Sequence, residues 1–149
     1  YRGIALCALC LKIFECVLCF KNAHPLSSSH HQFAYKKASS TTQCTWMAHE
    51  ISSQYTNYGS HIYACLLNCS KAFDKTRFDA LSEKLYNIGL SPIIIRFLLY
   101  CYSHTSVRFK CNGTLSDSFN VSNGVRQCAV LSPFLFNIYM DELISNINN

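Results

Sequence analysis

Residues 68–74 read Asn-Cys-Ser-Lys-Ala-Phe-Asp, and they follow directly on an apolar run, Ile-Tyr-Ala-Cys-Leu-Leu, at residues 62–67. A continuous apolar run of about this length is typical of a buried strand. We therefore predict a strand at residues 62–67 that leads straight into the polar segment 68–74.

A pair of helices is predicted next along the chain. Thr76 offers an N-cap, and Asp79 three residues later favours the first helical turn. Gly89 stands where a helix ends in a left-handed residue. Ser91 and Pro92 then begin a second helix, which is expected to run to about residue 102. The first of these helices has one apolar face, formed by Phe78, Leu81, Leu85 and Ile88.

The clearest local pattern predicts a β-hairpin, or a pair of adjacent antiparallel strands, around Asn112 and Gly113. Both residues tolerate positive φ, which a type I′ turn requires at its two central positions. Apolar residues alternate with polar ones on either side of this turn. They are Val107, Phe109 and Cys111 before it, and Phe119 and Val121 after it.

A last helix is predicted to begin at Ser132 and Pro133. Its apolar side would be supplied by Phe134, Leu135, Ile138, Leu143 and Ile147. Residues 22–45 are rich in Ser, Thr, His and Lys and indicate a loop, and residues 46–55 suit a helix. With the N-terminal segment, the order is helix, strand, two helices, two strands, helix. This order predicts an α+β fold rather than an alternating parallel one.

The N-terminal segment, residues 4–20, is largely apolar. It carries Lys12 and Glu15, and its longest uncharged run, residues 3–11, is too short to cross a bilayer. The two charges share one face, and the apolar residues recur at helical spacing on another. We predict a mostly buried amphipathic helix with a strand before it. The apolar positions are Leu6, Leu9, Ile13, Val17 and Phe20.

Composition restricts the class of protein further. Half of the 149 residues are hydrophobic and 14% are charged, which is too apolar for a disordered chain. The formal net charge is +5, a small and scattered excess that permits binding to a polyanion without indicating it strongly.

Ten cysteines leave a metal-binding alternative open. Four of them fall as Cys7-x-x-Cys10 and Cys16-x-x-Cys19, a spacing that resembles a zinc site. The linkers contain no Gly or Pro to turn the sulfurs toward one point, and the segment has helical periodicity. Cysteines at such positions are more often small apolar core residues. The histidines of the following loop, His24, His30 and His31, are interpreted as solvated.

Four segments together resemble the reverse transcriptases of non-LTR retrotransposons. Residues 68–74 resemble the first palm motif of that family, Asp-x-Ser-Lys-Ala-Phe-Asp. Residues 122–137, Ser-Asn-Gly-Val-Arg-Gln-Cys-Ala-Val-Leu-Ser-Pro-Phe-Leu-Phe-Asn, resemble the second, which carries Arg-Gln-Gly and then Ser-Pro-x-Leu-Phe. Residues 1–15 and 32–42 are similar to two fingers segments. The four matches occur in the order that the family has and span nearly the whole chain.

The resemblance implies a partial right-hand polymerase fold. Residues 1–60 would be a fingers-like segment, and residues 61–149 an incomplete palm with the first and second palm motifs, without the thumb or the paired-aspartate motif. The implied activity is DNA synthesis on an RNA template by two-metal phosphoryl transfer, with Mg²⁺ held by palm carboxylates. The implied partners are an RNA template, a DNA primer and a dNTP, with no membrane. An intracellular location is expected.

The resemblance also assigns roles to individual residues. Arg2 matches the fingers arginine that grips the triphosphate, which suits a fixed charged fork. Phe73 matches the aromatic gate that blocks a 2′ hydroxyl, although without the family it would be read as a core phenylalanine. Gln127 matches the glutamine near the nucleotide sugar and base. Asp74 matches the surrounding motif and receives no catalytic role.

Three departures from the family pattern predict an inactive chain. The metal-binding aspartate of the first palm motif is replaced by Asn68, whose amide supplies no negative charge. The glycine after Gln127 is replaced by Cys128, although glycine allows close approach and unusual φ and ψ. The paired-aspartate motif is absent, because residues 139–142, Tyr-Met-Asp-Glu, lie in a helical pattern, where Asp141 and Glu142 are interpreted as a solvated face.

Two other functions stay open from the sequence. One is a non-catalytic remnant that binds nucleic acid or dNTP through basic residues and shows salt-dependent binding without synthesis. The other is a small cysteine-rich zinc protein. The basic residues of the first alternative are Arg2, Lys36, Lys37 and Lys71.

Overall fold

The computed structural model describes residues 5–23, 26 and 28–148. The chain forms two compact units: the larger unit contains Tyr1–Ser28 and Lys71–Asn149, and the smaller unit is Ser29–Ser70. Within the described residues, no helix has the length and apolar character needed to span a bilayer. The elements are α1 Leu9–Lys21, α2 Thr41–Asn57, α3 Phe78–Asn87, α4 Pro92–Ser103, β1 Ser106–Val107, β2 Lys110–Cys111, β3 Thr114–Leu115, β4 Phe119–Asn120 and α5 Ser132–Asn148.

The core of the larger unit lies among α3, α4 and α5. Leu85 and Leu135 are almost completely buried at its centre. Burial of such aliphatic side chains contributes roughly 1.5–3 kcal/mol each. The other buried apolar residues of this cluster are Leu26, Leu81, Leu90, Ile95, Leu98, Tyr102, Val125, Leu131 and Ile138.

The C-terminus of α3 ends as the sequence predicts. Gly89 has φ of +83°, and its N–H donates to the Tyr86 carbonyl over 2.9 Å. The Leu90 N–H donates to the Leu85 carbonyl over 3.1 Å, and both leucine side chains are buried. This pattern is a Schellman motif with its hydrophobic contact, so the helix stops and the chain turns back into the core.

The N-terminus of α3 differs from the prediction in one residue. Arg77 occupies the N-cap position, but its side chain makes no hydrogen bond to the first turn of the helix. Thr76 is completely buried in the turn before the helix. The Thr76 hydroxyl donates to the Ala72 carbonyl over 3.4 Å, and the Thr76 carbonyl accepts the N–H of Gly124. Thr76 is therefore held by tertiary contacts and cannot cap α3. Asp79 lies in the first turn, as predicted.

The predicted hairpin is confirmed around Asn112 and Gly113, whose φ angles are +48° and +84°. β2 pairs with β3 next to the turn, and β1 pairs with β4 further out, both antiparallel. Between the two pairs the register shifts by one residue, as at a β-bulge. Helices together with two small antiparallel sheets are compatible with the predicted α+β class.

The predicted strand at residues 62–67 is wrong. The residues have no regular structure, and Tyr63 and Leu66 are 94% and 95% exposed. A strand needs a neighbouring backbone to satisfy its N–H and C=O groups. The described strands pair only with one another, at β1–β4 and β2–β3, so nothing holds residues 62–67 extended. The strand expected before α1 is likewise not found at residues 5–8, and residue 4 lies outside the described residues.

Two helix boundaries differ from those predicted. Residues 22–45 were expected to be a loop, but α2 begins at Thr41 because Ser40 caps it, with its hydroxyl accepting from the Gln43 N–H over 3.1 Å. The predicted helix at residues 46–55 is confirmed as the central part of α2. In α5, Leu135 and Ile138 are buried as predicted, whereas the expected apolar side is exposed further on, at Leu143 and Ile147.

The interpretation of residues 139–142 as helical is confirmed, because they lie inside α5. Lys84 on α3 donates to the Tyr139 carbonyl over 2.7 Å and forms a salt bridge of 2.9 Å with Glu142, whose side chain is largely exposed. These contacts join α3 to α5 and leave the Tyr-Met-Asp-Glu sequence as part of a helix surface.

The prediction that the apolar face of α1 is buried is wrong. Its apolar stripe is exposed, and its buried residue is Glu15, at 2% exposure. The face that packs on the core carries Glu15, Leu18 and Cys19. The stripe that stays exposed is Leu9, Ile13, Val17 and Phe20.

The Glu15 carboxylate is buried because it satisfies the backbone at the start of α5. Its Oε2 accepts the N–H of Val130 over 2.7 Å and that of Leu131 over 3.2 Å. Its Oε1 lies 3.9 Å from Nη1 of Arg126. A buried N–H without an acceptor is costly, and a negative charge is favoured at a helix N-terminus. The carboxylate therefore satisfies two N–H groups directly before α5, from a position on another helix.

Arg126 extends this network to the end of α4. Its guanidinium donates to the Cys101 carbonyl and to the Thr105 hydroxyl, and it lies 4.8 Å from the centre of the Tyr102 ring. Burial raises the pKa of Tyr102 to about 12, so this phenol stays protonated, with its hydroxyl 3.5 Å from Ser132 Oγ. One network thus joins α1, α4 and the segment before α5.

Replacing Glu15 tests this network. Glu15→Ala leaves a buried and a partly buried N–H group and the Arg126 charge without their acceptor, and we expect it to lower the free energy of unfolding by about 3 kcal/mol. Glu15→Gln keeps an acceptor oxygen and should cost about 1 kcal/mol. Urea unfolding followed by circular dichroism measures both. Glu83→Gln, on the exposed surface of α3, is the matched control, and an equal loss in all three variants would contradict the assignment.

Candidate functional site

Two segments that the sequence singled out meet in the larger unit. The turn at residues 71–76 accepts two backbone hydrogen bonds from the segment at residues 122–128. The Gly124 N–H donates to the Thr76 carbonyl over 2.9 Å, and the Val125 N–H donates to the Phe73 carbonyl over 2.9 Å. Parts of the first and second motifs, which are about fifty residues apart in sequence, are therefore held backbone to backbone.

Gly124 makes this contact possible. A Cβ atom at this position would lie 2.8 Å from the Asp74 Cα and 2.9 Å from the Phe73 carbonyl oxygen, closer than real Cβ atoms come. Its φ of +94° also favours glycine. Sequence analysis did not select Gly124. A usable signal was that it is the only glycine after Gly113 and that it lies inside the second motif.

Gln127 lies beside Asp74. The amide nitrogen Nε2 donates to Asp74 Oδ1 over 2.9 Å, and both side chains are at the protein surface. The structure therefore brings a predicted site residue, Gln127, against a motif residue to which the sequence gave no role.

Phe73 is half-buried and packs against the core. Its ring meets that of Phe136 edge to face, with centroids 5.0 Å apart and an interplanar angle of 68°. Such a contact stabilises by about 1 kcal/mol beyond burial and fixes the ring direction. The ring thus has the packing role that the sequence alone suggests, and the contact with Phe136 keeps it in one orientation.

Cys128 has φ of +62° and an exposed side chain. The backbone therefore adopts the left-handed conformation that favours glycine, and a non-glycine residue costs roughly 1–2 kcal/mol there. The replacement of glycine by Cys128 strains the backbone at this position.

Two further predicted site residues do not belong to the described part of the larger unit. Asn68 belongs to the smaller unit, where it is exposed and has no regular secondary structure. Arg2 lies outside the described residues. Of the predicted set, Phe73 and Gln127 are the members that the larger unit brings into one neighbourhood.

The described residues do not fit a metal centre. They contain no group of three or more His, Cys, Asp or Glu side chains that could hold a metal ion. Asn68 carries a neutral amide, which supplies no negative charge to a divalent cation. Burial raises the pKa of Cys19 to about 11, which disfavours the thiolate that zinc binds.

Comparison with known proteins identifies the family. The whole chain, residues 1–149, matches the family described as reverse transcriptase (RNA-dependent DNA polymerase). Because the match covers the full length, the chain belongs to the reverse transcriptase family.

Its relatives identify the kind of element. The chain is 29% identical over 83 residues to the Pol polyprotein of a type-1 retrotransposable element R2 from Popillia japonica, covering 56% of this chain and 14% of that protein. It is 29% identical over 85 residues to the Pol polyprotein of R2DM from Drosophila melanogaster, covering 57% and 8%. A third R2 relative, from Nasonia vitripennis, is 21% identical over 147 residues, covering 99% and 14%.

These relatives confirm the resemblance to reverse transcriptases of non-LTR elements. The chain spans between 8% and 14% of the length of the curated relatives it matches. No solved structure matches the chain.

Replacing Gly124 tests the contact between the two motif segments. Gly124→Ala places a Cβ against the Asp74 backbone at an unfavourable φ, and we expect it to lower the free energy of unfolding by about 3 kcal/mol or more. Gly89→Ala is the matched control, because Gly89 has a similar φ but open space around it, and it should cost only about 1 kcal/mol. Equal losses measured by urea unfolding would mean that the close approach does not exist.

Replacing Cys128 tests the backbone strain. Cys128→Gly should raise the free energy of unfolding by about 1 kcal/mol, because glycine adopts positive φ without a Cβ clash. Cys128→Ala removes the sulfur but keeps the Cβ, so it should give no gain. If Cys128→Ala raised the free energy of unfolding as much as Cys128→Gly does, loss of the thiol and not relief of the backbone strain would explain the gain.

Proposed function

We propose that this chain is part of the fingers and the first part of the palm of a non-LTR reverse transcriptase, and that it does not polymerise as it stands. Residues 1–60 correspond to the fingers part and residues 61–149 to the palm part. The natural reaction of such a domain is DNA synthesis on an RNA template. Its partners are the template, a DNA primer and an incoming dNTP.

The observation that carries this proposal is the contact of the two palm segments through Gly124. It places Phe73, Asp74 and Gln127 in one neighbourhood at the surface of the larger unit. In the proposed role, the Gln127 amide binds the sugar and base of the nucleotide, and the Phe73 ring blocks a 2′ hydroxyl. A gate of this kind needs a fixed ring, and the edge-to-face contact with Phe136 supplies one.

The proposed inactivity rests on charge. Two divalent cations a few ångströms apart repel each other, and carboxylates offset this repulsion in two-metal sites. Asn68 removes a negative charge at the position where the family has its metal-binding aspartate. Without that charge, the described residues do not fit the Mg²⁺ ions of the family.

A non-catalytic nucleic-acid-binding role is the second candidate, favoured by the net charge of +5 and by the exposed Lys37 and Lys71. Lys36, which the sequence grouped with them, donates to the Ser29 carbonyl. Phosphate contacts release counterions, so binding to an RNA–DNA duplex would weaken steadily as salt rises. Binding that ignores salt, or no binding at low salt, would exclude this role.

Primer extension on an RNA template with Mg²⁺ tests the main proposal. The chain is joined to the C-terminal palm and thumb of an R2 protein and compared with its Asn68→Asp, Cys128→Gly and double variants. We expect Asn68→Asp to raise the rate by about a thousandfold, as for restoring one essential electrostatic group. Cys128→Gly should add a smaller gain, and only the double variant should approach normal synthesis.

Asn146→Asp, an exposed asparagine of α5, controls for added negative charge and should have no effect. Efficient synthesis by the unrepaired fusion would contradict the proposed defect at Asn68. Silence from the double variant, if it folds cooperatively and binds the template and primer, would contradict the assignment of these residues to a polymerase palm.

A further inference from the structure

Gln127 is the donor and Asp74 the acceptor in the hydrogen bond that joins their side chains, and this direction fixes the orientation of the Gln127 amide. Nε2 of Gln127 donates to Oδ1 of Asp74 over 2.9 Å. A carboxylate has only acceptor oxygens, whereas an amide has a donor end and an acceptor end. A flipped amide would place Oε1 of Gln127 against Oδ1, and the two acceptors would repel each other. Asp74 therefore permits one orientation of the Gln127 amide.

We propose that Asp74 is a positioning residue that sets Gln127 to accept a hydrogen bond from a donor on the nucleotide, such as a sugar hydroxyl. This inference rests on the proposed function, because the role of Gln127 toward a nucleotide is part of that proposal. With Nε2 turned toward Asp74, the carbonyl end of the amide points away from the carboxylate. The side chain then presents an acceptor to a ligand and selects ligands that donate.

The backbone supports this role by keeping the two side chains at a fixed separation. Gly124 lies directly on the Asp74 backbone. The hydrogen bond from the Val125 N–H to the Phe73 carbonyl anchors Phe73, the residue before Asp74. Arg126, the residue directly before Gln127, is fixed by Thr105 and Glu15. Both segments are already held by these contacts, so forming the hydrogen bond between Gln127 and Asp74 costs little further conformational entropy. The bond can therefore persist at the surface despite competition from water.

Two substitutions of Asp74 separate positioning from stability. Asp74→Leu removes the acceptor. Asp74→Asn keeps a hydrogen bond but no longer dictates its direction, because an asparagine amide can donate to Gln127 as well as accept from it. Asp117→Asn, on the exposed loop between β3 and β4, is the matched control. A merely structural role predicts that Asp74→Asn behaves like the parent chain, whereas positioning predicts that it loses selectivity while keeping its thermal midpoint.

The first measurement is spectroscopic and needs no nucleotide. The chain is labelled with ¹⁵N in the side-chain amides of its four glutamines, and Gln127→Glu identifies the Gln127 signal. We expect one Gln127 amide proton to be shifted away from those of the other glutamines in the parent and in Asp117→Asn, and to return to the common position in Asp74→Leu. A Gln127 signal that Asp74→Leu does not move would overturn the proposal.

The second measurement is nucleotide selectivity, with dTTP compared with ddTTP, which lacks the 3′ hydroxyl donor. Equilibrium dialysis with Mg²⁺ is performed in the Asn68→Asp background. We expect dTTP to bind about fivefold more tightly than ddTTP, as for one hydrogen bond. Asp74→Asn and Asp74→Leu should each reduce this preference below about twofold, and Asp117→Asn should keep it.

The two arms separate the two claims. If dTTP binds but its preference over ddTTP is the same in every variant, Asp74 does not position Gln127, and the proposed function stands. If no variant binds dTTP while Asp74→Leu still moves the Gln127 signal, the nucleotide role fails, and the orienting bond alone is supported.

Discussion

A single buried carboxylate holds the larger unit in its arrangement. Glu15 lies on a helix whose apolar stripe is exposed, yet it is the buried residue of that helix. Its Oε2 accepts two backbone N–H groups ahead of α5, and Arg126 lies on its other side. Removing a buried acceptor leaves its donors unsatisfied, which costs more than the net value of the bonds. The start of α5 and the position of α1 therefore depend on the same group.

The consequence is a second-motif segment that is anchored at three places. Gly124 presses on the first motif, Arg126 reaches the end of α4, and the N–H groups of Val130 and Leu131 meet Glu15. Gln127 and Cys128 lie between these anchors, so their positions are set by the network and not by their own contacts. A change at Cys128 can strain the backbone without dismantling the fold. The strain at Cys128 and the stability of the larger unit are thus separable.

The parts of the fold that the sequence predicted are those with local causes. The turn at Asn112 and Gly113, the end of α3 at Gly89 and the start of α4 at Pro92 each follow from the φ preference of one or two residues. The strand at residues 62–67 was predicted wrongly, because an apolar run states only that a segment can be buried, while pairing needs a partner backbone.

The candidate site was predictable to a similar extent. Motif resemblance selected Phe73 and Gln127, and the structure brings their two segments together through Gly124. Motif resemblance gave no role to Glu15 or Asp74, because their roles depend on backbone and side-chain groups that are distant in sequence. Helical periodicity placed Glu15 on a polar face of α1. The pattern of one helix does not show that N–H groups more than a hundred residues later require an acceptor, so the burial of Glu15 could not be predicted from it.

Hydrogen exchange at the amides of Val130 and Leu131 tests the central claim most directly. It is measured at residue resolution by fragmentation mass spectrometry, in the parent chain and in Glu15→Ala. In the parent, both amides should exchange at least about a hundredfold more slowly than in an unstructured peptide. In the variant, they should lose this protection, while the Leu90 amide, which donates to the Leu85 carbonyl at the end of α3, stays protected. Fast exchange at both amides in the parent chain, or protection that survives in the variant, would contradict the role of Glu15.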